Sequence, residues 1–214
     1  MTSFPRSPRL VKCSLILLDP DGHKPRRTIT LQYNPDTLTR TFQVEGAGEG
    51  GLKSEALRLK GPPVETIAID AEIDATDQLE EGRATEHGIH PELASLETIT
   101  YPESSSLVRN DRLASSGQLE IIPVEGPLCL FVWSGDRVVP VRITNFSVTE
   151  EAFDTSLNPI RAKVHLGMRV LTVNDLGFSH KGGILFMNYL QKKEQLRALY
   201  KGGSQDYAGT GGIL

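Results

Sequence analysis

Residues 161–171, RAKVHLGMRVL, alternate between apolar and polar side chains almost without a break. Ala162, Val164, Leu166, Met168 and Val170 fall on one side of an extended chain, and Arg161, Lys163, His165 and Arg169 on the other. A period of two suits a half-buried strand and not a helix. A slip of one residue would drive the charged row into the core, so the register is firmly set. Val64–Thr76 alternates in the same way, with Ile67, Ile69, Ala71 and Ile73 opposed to Asp70, Glu72 and Asp74. Two such segments commit the chain to a sheet with one dry and one wet face.

Further strands are predicted on the same grounds. Thr28–Tyr33 places Ile29, Leu31 and Tyr33 together, and Leu38, Phe42 and Val44 recur at even positions after it. Asn34-Pro35-Asp36 separates these two runs, and a proline without a ladder donor belongs in the connection. Leu10–Leu18, Gln118–Pro123, Pro127–Trp133 and Arg137–Thr149 complete the set, the last with Pro140 marking an edge or a bulge. His90–Ile99 reads as a short helix with proline in its first turn and Leu93, Leu96 and Ile99 in a stripe. Residues 184–200 read as an amphipathic helix whose face carries Phe186, Tyr189, Leu190, Leu196 and Tyr200, with Lys193 out of place in it. Residues 45–61 and 103–118 are expected to be surface loops, and 201–214 a flexible tail. The expected fold is mainly β, a small barrel or two-sheet sandwich over residues 1–173 with one short flanking helix. A helical extension occupies 174–214.

Composition narrows the function. The chain has 214 residues, enough for one sizeable core, and a net charge of −4 that argues against a nucleic-acid scaffold. Cys13 and Cys129 both sit in apolar runs and are expected to be buried and reduced. No apolar run approaches the roughly 20 residues of a membrane helix, and Cys13–Leu18 is too short for a signal sequence. The expectation is a protein folded in the cytoplasm, with no membrane segment and no nucleic acid among its partners.

Reaction chemistry is thinly represented. Gly46, Gly48 and Gly51 match G-x-G-x-x-G, but no βαβ series follows, so a loop is expected there. Asp70, Glu72 and Asp74 fit a hard-metal site or an acid–base pair. They fit equally well as partners of the basic row Arg161, Lys163, His165 and Arg169, across strands or across subunits. His87, His90 and the glutamates Glu86 and Glu92 resemble a zinc set, although glycine and proline break any helical placement. No nucleophile elbow, P-loop or Cys–His signature occurs. No catalytic group, cofactor or metal is expected. The two charged rows are expected to serve subunit contacts, and the C-terminal helix face to dock a partner.

Taken in order, QYNPDTLTRTF, LKGPPVETIAIDAEIDATDQLE, HPELASLETITYP and PLCLFVWSGDRVVPVRITNFSVTEEAFDTSLNPIRAKVHLGMRVLT resemble the tube-like proteins of contractile injection systems, over roughly residues 10–173. The NPDTL turn, the VWSG turn and FDTSLNPIRAKV are the most specific segments. The resemblance implies a tail-tube fold and a homo-hexameric ring whose strands join into a continuous wall. It further implies an adaptor ring between the spike at the baseplate and the inner tube, with those proteins as neighbours. Some members carry a C-terminal LysM-like module; here the residues after Leu171 read as one helix and a tail. The competing expectations are an accessory carbohydrate- or peptidoglycan-binding module on such a particle, or a cap-side tube adaptor.

Overall fold

The computed structural model describes residues 10–19, 24–44, 46, 59–76, 87–117 and 126–200. Its strands are β1 (Ser14–Leu18), β2 (Pro25–Thr30), β3 (Leu38–Gln43), β4 (Val64–Asp74), β5 (Leu128–Ser134), β6 (Arg137–Phe153) and β7 (Pro159–Val170). All seven join one antiparallel sheet in the order β2-β1-β5-β6-β7-β4-β3. The helices are α1 (His90–Glu97), α2 (Ser104–Ser115), α3 (Val173–Leu176) and α4 (Lys181–Ala198). The mainly β expectation holds, with the strands in a single continuous sheet that does not close. The predicted strand at 118–123 and the tail at 201–214 lie outside the described residues.

The alternating segments behave as their period requires. Leu15, Phe131, Val139, Ile67, Leu166 and Met168 are among the side chains sealed on one face, and α1 adds Leu93 and Leu96 to the same core. Each such side chain stabilises the fold by about 1.5–3 kcal/mol. Cys13 and Cys129 are buried and unpaired with one another, and burial pushes both thiols up to about 12.

Strand β6 organises the sheet by its stagger. Strand β5 pairs only with its first residues, Arg137–Val141, whereas β7 pairs with Val141–Phe153. On the β7 side the last bond runs from the Leu171 N–H to the Pro140 carbonyl. Pro140 therefore lacks its N–H where β7 has already ended. Helices α3 and α4 turn back into the space that β7 vacates. Thr172 and Asp175 form a reciprocal capping box at the start of α3. Gly183 lets α4 start tight against α3, since a Cβ there would stand 1.9 Å from the Gly177 carbonyl oxygen. Phe186 and Tyr189 of α4 join the main core, while Leu185 packs on a second cluster of Leu18, Leu128 and Leu130.

Two side-chain amides do the work of backbone in the Asn34-Pro35-Asp36 region. The Asn34 amide accepts from the Cys13 N–H and donates to the Val11 carbonyl, both at 2.9 Å. Gln32 donates to the Asp74 carbonyl at 2.6 Å and accepts from the Asp74 N–H at 2.9 Å. A primary amide offers the same donor–acceptor pair as a peptide group, so Gln32 bridges the chain after β2 to the end of β4. The sheet thus curls until its far parts meet at one point without a ladder between them.

One expected loop is a helix. Within the serine-rich stretch at 103–118, Ser104–Ser115 forms α2, in which only Ser106 is buried. Serines at its start suit a first turn, and Leu107, Arg109, Arg112, Leu113 and Ala114 carry enough helix propensity to continue it. In the other expected loop, 45–61, Gly46 and Leu59 form an isolated antiparallel bridge; Gly48 and Gly51 are outside the described residues.

Candidate assembly surfaces

The acidic and basic rows meet within one chain. Strands β4 and β7 are neighbours, with Asp70 opposite His165, Glu72 opposite Lys163 and Asp74 opposite Arg161. The Asp74 carboxylate accepts from Arg161 at 2.9 Å, and Asp70 lies 2.7 Å from the His165 Nδ1. Lys163 reaches sideways to Glu151 of β6 at 3.2 Å, and Arg169 to Asp175 of α3 at 2.8 Å. Asp74 is held below the usual carboxylate range, chiefly by the Thr76 hydroxyl and also by its own partner Arg161. The result is a wet, charge-matched sheet face. Exposed pairs of this kind add little to stability, so the pattern is a property of the surface presented and not of the core.

A second polar group lies at the opposite end of β4 and is buried. Glu65 is 3% exposed. Its carboxylate accepts from the Arg40 Nε at 2.7 Å, the Tyr189 hydroxyl at 3.0 Å and the Lys193 ammonium at 3.0 Å. Arg40 also donates to the Tyr189 oxygen at 2.8 Å, and both cations stand over the Phe42 ring. Burial, reinforced by the Glu65 charge, pushes the Tyr189 phenol up to about 12. Burial likewise lowers the Lys193 ammonium, against the opposing pull of Glu65. Lys193, out of place on the helical wheel, therefore joins Tyr189 in tying α4 to the β3–β4 edge. Sequence reasoning missed Glu65; the available signal was an acidic residue at a position where the apolar alternation of β4 demands a buried one.

The C-terminal face divides between the fold and solvent. Phe186 and Tyr189 are taken up by the core and Leu190 is half-buried. Leu196 and Tyr200 are exposed, together with Leu199. Leu196 and Tyr200 continue the Tyr189–Lys193 stripe at helical spacing, and Phe42, which Lys193 overlies, is exposed as well.

The β6–β7 connection is the other prominent surface. Asp154 accepts from the Ser156 and Asn158 N–H groups and from the Asn158 amide, at 2.7, 2.8 and 2.8 Å. These bonds, the Asn158 side chain first, hold its carboxyl below the usual range. The turn so built presents Phe153 and Leu157 to solvent, and Leu157 sits at φ 63. Leucine in the left-handed region is uncommon and costs energy.

His87 and His90 are exposed and lie at the start of α1, and Glu86 is outside the described residues. Gly88 between them has φ +55, and a Cβ there would stand 2.3 Å from the Pro159 carbonyl oxygen. The adjacent Ile89 N–H donates to that oxygen at 2.9 Å. The segment is thus a close backbone crossing against β7. Among the described residues no group of three or more His, Cys, Asp or Glu is placed to hold a metal ion. No helix among them is long and apolar enough to cross a membrane.

A sheet whose edges are open among the described residues, with one wet charge-matched face, defines a structural β domain. The chain belongs to the contractile injection system tube protein family, whose profile matches residues 10–174. Among solved structures it is similar to a chain in the tail of an empty gene transfer agent particle refined with C6 symmetry, at 13% identity. That match covers 73% of this chain and 89% of the other, with a TM-score of 0.28. A chain of the native gene transfer agent virion matches at 15% identity over 74% and 90%, with a TM-score of 0.26. At these scores the likeness carries no weight for subunit arrangement. No curated protein matches the chain.

Proposed function

We propose that this chain is a ring-forming structural component of a contractile injection particle. Six copies close a ring, and the ring joins the spike-bearing baseplate to the inner tube. The observation that supports ring closure is the pair of open edges bounding the layer β3-β4-β7-β6. Among the described residues strand β3 has no partner on its outer side, and β6 has none beyond the residues that pair with β5. An exposed edge is an unsatisfied row of donors and acceptors that a neighbouring chain can complete. Successive strands of this layer are antiparallel and number four, so β3 runs opposite to β6. Rotation about a ring axis leaves strand direction unchanged, and β3 of one copy would meet β6 of the next in antiparallel pairing. The contact is heterologous, and such contacts close into rings when the rotation allows.

The test is electron microscopy of particles from cells with and without the gene. Sheathed tubes that lack spike and baseplate, or the loss of all tubes, support an assembly role, the first result specifically the adaptor position. Normal particles in the deletion strain would refute it.

A further inference from the structure

Strand β2 carries a cation where its alternation calls for an apolar residue. Arg27 lies two residues from buried Ile29 and pairs in register with Leu17, which is 4% exposed. Positions two apart on a strand, and positions directly opposed across a ladder, share one face of the sheet. Arg27 therefore stands on the dry side, where it is half-buried. Its Nη1 donates to the Thr98 hydroxyl at 2.9 Å, a neutral acceptor and not a carboxylate. One such bond leaves most of a guanidinium's donors unspent.

Arg27 lines a cavity of about 840 Å³ between β2, the α1–α2 connection, α2 and the residues before β5. Arg26 and Arg109 line it as well, and Glu103 is the one acid among the described residues that do. Glu103 is already engaged by Arg26 at 3.2 Å. Three cations against one acid leave a local positive surplus in a chain whose net charge is −4. Ser106 of α2 lines the same cavity and is 7% exposed. Its oxygen accepts from the Arg109 Nη2 at 3.3 Å, and its own O–H has no acceptor among the described residues. A buried hydroxyl and guanidinium groups with donors to spare call for a ligand rich in acceptors and negative charge. Leu17, Ile99 and Pro127 make another part of the wall apolar.

We infer that this cavity binds a soluble organic phosphate. Arg27, Arg109 and Ser106 hold the phosphate oxygens, and the organic body lies against Leu17, Ile99 and Pro127. Guanidinium forks match phosphate geometry bidentately. Two forks and a hydroxyl offer more donors than the two oxygens of a carboxylate accept, whereas a phosphate monoester presents a third oxygen to them. The volume exceeds a bare ion and falls in the range of roughly 300–1,000 Å³ that small-molecule sites occupy. Among the described residues none from β3 or β6 lines the cavity, so its occupancy does not depend on ring closure.

The experiment is calorimetric titration of the full chain with phenyl phosphate, inorganic phosphate and phenol at one fixed ionic strength. Phenyl phosphate is expected to bind several-fold more tightly than inorganic phosphate, and phenol not to bind. Arg27→Gln and Arg109→Gln should each weaken phenyl phosphate binding by about tenfold or more, and Ser106→Ala by less. Arg112→Gln removes the same charge from the same helix at a position that does not line the cavity, and should leave the affinity within about twofold. Arg109 and Arg112 are both exposed, so their variants keep the fold and form the decisive pair even where Arg27→Gln does not. Absence of phenyl phosphate binding at millimolar concentration overturns the inference. Equal losses in Arg109→Gln and Arg112→Gln overturn it too, because they would reduce the effect to diffuse charge. Equal affinity for inorganic and phenyl phosphate would remove the organic body from the site. Co-sedimentation with phosphatidate vesicles, without binding of phenyl phosphate, would make a lipid surface the source of the phosphate and refute a soluble ligand.

Discussion

Replacing Glu65 tests what holds the C-terminal helix to the sheet. Its two oxygens serve Arg40, Tyr189 and Lys193 in a place where Glu65 itself is almost sealed from water. In Glu65→Ala both cations and the phenol lose their common acceptor. Removing one partner of a buried pair costs ~3–5 kcal/mol when the other is left dry. Here the Arg40 and Lys193 side chains are 24% and 36% exposed and can recover some hydration. The expected loss is therefore about 2–4 kcal/mol. For a chain of this size that lowers the melting temperature by roughly 5–15 °C. Glu65→Gln, which keeps the shape and one acceptor, should lose about half as much. Thermal and urea unfolding followed by circular dichroism measure both. Glu65→Ala combined with Lys193→Met should be less destabilised than the sum of the single changes, because it removes one of the stranded charges. A Glu65→Ala protein that melts with the parent would show that apolar packing of Phe186 alone fixes α4, and that the polar cluster is incidental.

Other outcomes follow from the same contacts. Gly88→Ala should cost about 2–3 kcal/mol, since the added carbon is strained at positive φ and collides with the Pro159 carbonyl; an unchanged urea midpoint would count against the close crossing. Stability should fall as pH rises from about 9 to 12. Cys13, Cys129 and Tyr189 all ionise near 12 when folded but near 9.0, 9.0 and 10.0 otherwise, so above pH 9 the unfolded chain holds fewer protons than the folded one. Tyr189→Phe should flatten the portion of that decline above pH 10 and leave the cysteine portion, as read from urea midpoints across the range.

Some elements could be read from sequence because the relevant signal is local. The alternation of 64–74 and 161–170 needs only a half-buried sheet to explain it, and both segments form strands with their apolar rows sealed. The suggestion that the acidic and basic rows face one another across strands was chemically sound, and β4 and β7 do adjoin. The serine-rich stretch misled because serine supports turns and first helical turns alike, and composition does not separate them. The histidines flanking Gly88 suggested zinc, yet the informative residue was the glycine, whose need appears only once β7 lies against it.

The sequence by itself determined the period of each strand, the buried row on each, and the amphipathic character of the C-terminal helix. These depend on the spacing of apolar side chains along one segment. Only the tertiary structure decided which strands adjoin and where edges remain open. It brought Arg40, Glu65, Tyr189 and Lys193 together from three separate elements. It also set the β6–β7 turn and the Glu65 cluster at opposite ends of one sheet. Those relations come from ladder register and from the stagger of β6 between two unequal partners, quantities that belong to pairs of segments and that no single segment encodes.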